Sequence, residues 1–209
     1  MNFDKVRSIL EKKLNEKLPG HEAHLLMAPK PVDMRRFSSS PKVGSRSSSV
    51  LILMYPDQNR TFFPLIKRPT YPGVHSGQVA FPGGKMEESD RDIFHTALRE
   101  AEEEIGVSQK EIQILGSLTS LYIPASNFLV HPVIGFTTNP PNWIPDQKEV
   151  ERVIATDIHQ LIQPETKRET ILEPVINLKL QTPYFDIQGE IVWGATAMIL
   201  SELIEIIQS

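Results

Sequence analysis

REAEEEIGV (Arg99–Val107) sets four carboxylates among six consecutive residues and then closes on Ile105-Gly106-Val107. On a helix at about 100° per residue, Glu100, Glu103 and Glu104 fall within one arc. Beside it Ile93, Phe94, Ala97, Leu98, Ala101 and Ile105 form an apolar arc that should pack on a sheet. Glu102 projects away from the acidic set and reads as solvated. Like charges three and four apart cost a helix roughly 0.2–0.5 kcal/mol per pair, a sign that a bound cation reverses. Oxygen donors without cysteine or a paired histidine favour a hard ion, Mg²⁺ or Mn²⁺. Taken alone, three glutamates on a helix are more often a solvated charged face and carry no functional claim.

The segment just upstream changes that balance. In FPGGK (Phe81–Lys85), Gly83 and Gly84 read as a turn between a strand and a helix spanning about residues 89–105, and paired glycines let backbone amides approach an anion closely. A glycine turn leading into a helix with aligned carboxylates brings phosphate and metal chemistry into one short stretch.

Strands surround this unit. SVLILMYP (Ser49–Pro56) and TFFPLIKR (Thr61–Arg68), joined by the turn-like DQNR, read as a hairpin. IQILGSL, FLVHPVIGF and VERVIAT are further strand candidates, followed by ETILEPVINL and PYFDIQGEIVWG with a division at Gln181-Thr182-Pro183. The chain closes on a helix, ATAMILSELIEII. At its start, Phe3, Val6, Ile9, Leu10 and Leu14 recur at helical spacing up to Leu18-Pro19-Gly20. The serine-, proline- and arginine-rich stretch that follows reads as an extended arm leading to Arg46. The whole is an α+β domain with a mixed β-sheet over residues 46–209, preceded by a helix and arm over residues 1–45.

Composition narrows the function. A chain of 209 residues that is 40% hydrophobic and 23% charged can bury one core, and its net charge of −4 offers no basic footprint for nucleic acid or an anionic membrane. With no cysteine there is no disulfide, thiolate site or cysteine nucleophile. No apolar run approaches the roughly 20 residues of a membrane span, and the N-terminus lacks the uninterrupted apolar core of a signal peptide. The expectation is a soluble, cytoplasmic protein acting on a small molecule, with self-association as a homodimer left open. His75, His95, His131 and His159 share no ligand spacing, and Ser126 has no evident His–Asp partnership.

GGKMEESDRDIFHTALREAEEEIGV (Gly83–Val107) resembles the Nudix box: a glycine, five residues, an acid, seven residues, then Arg-Glu-apolar-any-Glu-Glu-any-Gly-apolar. Arg99, Glu100, Ala101, Glu103, Glu104, Gly106 and Val107 match the second half. Counting from Gly84, the acid is Asp90, and eight residues instead of seven precede Arg99. That spacing is similar to the branch of the family that hydrolyses coenzyme A. LIKRPTYPGVHSGQVAFPGGK (Leu65–Lys85) resembles that branch's additional motif at Arg68, Gly77, Phe81, Pro82, Gly83 and Gly84, while Pro69 replaces a small polar residue and Gly73 a second Arg.

The resemblance implies an α/β/α sandwich and a metal-dependent pyrophosphatase cleaving coenzyme A or acyl-CoA to 3′,5′-ADP and 4′-phosphopantetheine. It assigns Glu100, Glu103 and Glu104 to Mg²⁺ or Mn²⁺, with Glu103 and Glu104 also serving catalysis. Arg99 is placed in the same machinery, folding back toward Asp90 or Glu87. Arg68, Gly83, Gly84 and Lys85 become substrate contacts. Glu149 and Glu151 are candidates for a base from a separate loop, and Trp143 or Trp193 for a cover over adenine. A preference for ADP-ribose, a nucleotide sugar or a dinucleotide is the alternative within the family, kept open by Gly73. A noncatalytic ligand-sensing Nudix module is the alternative outside catalysis.

Overall fold

The hairpin of SVLILMYP and TFFPLIKR organises the fold. In the computed structural model, which describes residues 1–37, 44–71, 76–175 and 178–209, these runs become β1 (Arg46–Asp57) and β2 (Arg60–Lys67). Gln58 and Asn59 sit at φ 46° and 60°, the paired left-handed geometry of a two-residue hairpin turn. Gly73, His75 and the Ser38–Ser40 run lie outside the described residues.

Short strands β3 (Val79–Ala80) and β4 (Gly83–Lys85) lead into α3 (Ile93–Ile105). Next come β5 (Gln113–Ser117), β6 (Leu121–Ile123), β7 (Phe128–Phe136) and β8 (Arg152–Asp157). β7 runs parallel to β1, from Arg46 opposite Phe128 to Met54 opposite Phe136. On the other side of β1, β4 pairs at Ser48–Val50 and β2 at Tyr55–Asp57, both antiparallel. The mixed sheet of the sequence reading is therefore present, with β1 at its centre.

Alternation along β1 feeds two cores. Leu51 and Leu53 face α3, where Ala97, Ala101 and Ile105 meet Val133. Ile52 and Met54 face the opposite layer, built from α1 (Phe3–Lys13), α2 (His21–Leu25) and α5 (Gly194–Gln208), with Val6, Leu10, Met27, Leu200 and Leu203 buried there. α1 ends earlier than its apolar spacing suggests. Leu14 is already the cap, and the Asn15 side chain donates to Glu11 O at 2.8 Å, offering that carbonyl a partner other than the next turn.

A second sheet completes the chain. After the short α4 (Ile158–Leu161), β9 (Lys167–Val175), β10 (Leu178–Ile187) and β11 (Glu190–Trp193) form an antiparallel meander. Gln181-Thr182-Pro183 does not divide two strands; it lies inside β10, with Thr182 opposite Thr170. PYFDIQGEIVWG is instead split at Gln188-Gly189, where φ is 54° and 82°.

Candidate active site

The acidic helix begins later than residue 89. Asp92 caps α3 by accepting from His95 N at 2.8 Å, so the residues before it form a loop. The buried Asp90 is the hub of that loop. It accepts from Glu87 N at 2.9 Å, Thr96 Oγ1 at 3.0 Å, and Arg99 Nε and Nη2 at 3.0 and 2.9 Å, and lies 2.8 Å from His95 Nδ1. The Arg99 guanidinium holds the Asp90 carboxyl well below the usual carboxylate range, and Asp90 in turn pushes Arg99 further up. Arg99 also donates to Lys85 O at 3.1 Å and reaches Glu103 at 2.8 Å and Glu100 at 3.0 Å. One side chain thus bolts the loop, β4 and the acidic face together. Nothing in the spacing pointed to Thr96 and His95, which complete the shell around Asp90.

Gly83 and Gly84 lie in β4, not in a turn, and their lack of a Cβ shapes the carboxylates. A Cβ on Gly84 would collide with the Glu100 carboxylate, and one on Gly83 with Ser49 O and the Val50 backbone. Gly83 also sits at φ 154°, where other residues are strained. Its N–H donates to Glu104 Oε2 at 2.8 Å, so that amide is committed to the protein's own carboxylate. Arg68 Nη2 donates to the other oxygen of Glu104 at 3.3 Å and to Gly83 O at 3.2 Å.

Glu104 is only 1% exposed. Burial pushes its carboxyl up to about 7; Arg68 and the Gly83 N–H pull the other way, while Glu100 and Glu149 add to the rise. Glu100 is likewise raised, first by burial, with Arg99 opposing and Glu103 and Glu149 contributing. Glu103 is more exposed, held by Arg99. Glu102 is exposed as expected, yet it accepts from Gln109 Nε2 at 2.8 Å. Among the described residues, no three His, Cys, Asp or Glu side chains already stand together as a metal cage.

Glu149 comes from the loop before β8, which is clipped to the end of α3. Ile144 N donates to Ile105 O and Asp146 N to Glu104 O, both at 3.0 Å, giving the last helical carbonyls partners. This anchoring places Glu149 where its charge acts on both Glu100 and Glu104. Glu151 goes elsewhere, its backbone N–H pairing with Lys67 O at 2.8 Å. Lys85 is exposed at the end of β4. Trp143 packs edge-on to Tyr55 at 5.4 Å, and Trp193 ends β11. His131 lies 2.9 Å from Ser120 Oγ, the His159 N–H donates to the Asp157 side chain that caps α4, and Arg46 covers the Phe128 ring at 4.1 Å.

A mixed sheet between helical layers, with an acidic helix seated against a Gly-Gly strand, defines the class of protein. The NUDIX domain family model matches residues 45–177, and the chain belongs to the Nudix family of hydrolases. It is 34% identical over 128 residues to the human mitochondrial coenzyme A diphosphatase NUDT8, covering 61% of this chain and 54% of the relative. It is 36% identical over 180 residues to the mitochondrial Nudix hydrolase 15 of Arabidopsis thaliana, covering 83% and 61%. The chain thus spans less than two thirds of either relative. A MutT/nudix family protein from Enterococcus faecalis shares the fold at a TM-score of 0.51, with 17% identity, 80% of this chain and 64% of that one covered.

Proposed function

We propose that the chain is a divalent-cation-dependent pyrophosphohydrolase acting on coenzyme A or acyl-CoA. The observation that carries this reading is the pair of carboxylates, Glu100 and Glu104, largely taken out of water on one helix. Burial first, and repulsion from neighbouring carboxylates second, raise both of the pair despite Arg99 and Arg68. An all-oxygen donor set short of positive charge fits Mg²⁺ or Mn²⁺. Glu100 and Glu104 would hold the cation, with Glu103 as a third ligand or a base acting through water. Bound there, the cation screens a diphosphate's charge, polarises phosphorus and lowers the pKa of water.

The chain's own groups supply the rest. Glu149, on a loop fixed to the helix, accepts a proton from the attacking water. Arg68 and Lys85 contact the substrate phosphates. Arg99 acts as a positioning group for Glu100 and Glu103. Gly83 and Gly84 serve the site by making room for the two carboxylates. Water attacks phosphorus directly, and no enzyme-bound covalent intermediate is required.

Coenzyme A as substrate is supported by the Leu65–Lys85 motif and by the similarity to the human coenzyme A diphosphatase. Gly73, outside the described residues, keeps ADP-ribose, a nucleotide sugar or a dinucleotide as the second reading. Purified protein incubated with coenzyme A, ADP-ribose and NADH, with and without Mg²⁺ or Mn²⁺, separates the two by its products. Cation-dependent release of 3′,5′-ADP from coenzyme A is expected. Absence of cleavage of all three would leave the ligand-sensing module. No described helix is long and apolar enough to cross a membrane. The cytoplasm is the proposed compartment, checked by fractionation because both relatives are named mitochondrial. The proposed partner is the small-molecule substrate, not nucleic acid or a membrane, and light scattering decides between monomer and homodimer.

A further inference from the structure

We infer that Arg68 is a built-in counter-ion for Glu104, occupying the carboxylate until a divalent cation takes it, so that cation loading frees the guanidinium for the diphosphate. The inference rests on the proposed cation seat at Glu104. Both oxygens of Glu104 are engaged, but unequally: the Gly83 N–H is at 2.8 Å, whereas Arg68 Nη2 is shared between Glu104 at 3.3 Å and Gly83 O at 3.2 Å. Bonds that long and divided are the easier ones to exchange. Arg99 differs, holding Asp90 through two nitrogens at 2.9 and 3.0 Å.

Arg68 also has somewhere to go. Its side chain is 23% exposed while that of Glu104 is 1% exposed, so the guanidinium can leave along the solvent side while the Gly83 N–H keeps the carboxylate in place. The absence of a preformed cage among the described residues follows, since the carboxylates are turned onto arginines. A guanidinium and a divalent cation beside one carboxylate repel each other in this partly buried setting. Arg68 therefore weakens cation binding while no phosphate is present, and the freed side chain gains an anionic partner once a diphosphate arrives.

The test is a Mn²⁺ titration of the full chain at pH 8.5 without phosphate, reading free Mn²⁺ by electron paramagnetic resonance. Arg68→Met is expected to bind Mn²⁺ about tenfold more tightly than the unsubstituted chain, and Arg68→Lys within about threefold of it. Disrupted packing alone would loosen binding, so the direction is diagnostic. Arg68→Gln provides a second neutral variant, and circular dichroism melting checks the fold of each. If folded neutral variants bind no more tightly, the counter-ion role is overturned while the seat stands. If the unsubstituted chain binds no better than Glu104→Gln, the seat fails and the inference with it.

Discussion

Glu104 must be ionised to hold a cation, yet it is buried, and that conflict makes it the most informative single residue. Glu104→Gln keeps an amide oxygen for the Gly83 N–H, so the melting temperature should change by only a few degrees while turnover falls by roughly 10³-fold or more. The stability consequence has a definite sign. Glu104 titrates at about 7 in the fold against an ordinary 4.5, so its neutral form is favoured there. The stability it contributes is fully present below about pH 4.5 and is lost as the pH rises through 7, by at most about 3 kcal/mol. In EDTA, urea unfolding at pH 5 and pH 8 should show this loss in the unsubstituted chain and not in Glu104→Gln. Mg²⁺ should restore part of it at pH 8.

At the scale of elements, β4 separates two consequences of adding one methyl group. In Gly84→Ala the new Cβ meets the Glu100 carboxylate, the movable end of a side chain, so the fold should survive while kcat/KM drops about tenfold or more. In Gly83→Ala it meets Ser49 O and the Val50 backbone in the centre of the sheet, at a φ that disfavours alanine. That variant should lose about 3 kcal/mol or more in chemical denaturation. The acidic face of α3, its apolar arc and the β1–β2 hairpin were legible in the sequence because each repeats a pattern over several residues. The β4 strand was not, because three residues containing two glycines carry no period and owe their conformation to pairing with β1. Asp92 as cap, Asp90 as hub and the location of Glu149 were hidden or only partly visible for the same reason: each depends on where a loop is tied.

At the scale of the whole molecule, the core does not stop where the family match does. Glu202 of α5 is fully buried and accepts from Gly20 N at 3.0 Å, Thr119 N at 3.1 Å and Thr119 Oγ1 at 2.6 Å, and lies 3.0 Å from His24 Nε2. Burial alone would raise its carboxyl, but these partners outweigh burial and hold it below the usual value. Gly20 and His24 are 182 and 178 positions away in sequence, a separation that no local pattern announces. α1, α2 and α5 supply one whole face of the core, so a fragment of residues 45–177 would expose Ile52, Met54, Ile134 and Phe136. It is expected to lack a cooperative thermal transition and to be cut rapidly by protease, whereas the full chain resists.

The parallel pairing of β1 with β7 also bears on how the molecule comes into being. Ser49 Oγ donates to His131 O across 82 positions, and among the described residues β7 is the strand that pairs along that side of β1. Closing so long a loop costs entropy before any contact offsets it, and topologies rich in such pairings fold slowly. During synthesis, the hairpin and the acidic helix emerge well before the strand that completes their sheet. Until β7 arrives, the β1 backbone from Arg46 to Met54 is an unpaired strand edge, the kind of surface on which nascent chains associate.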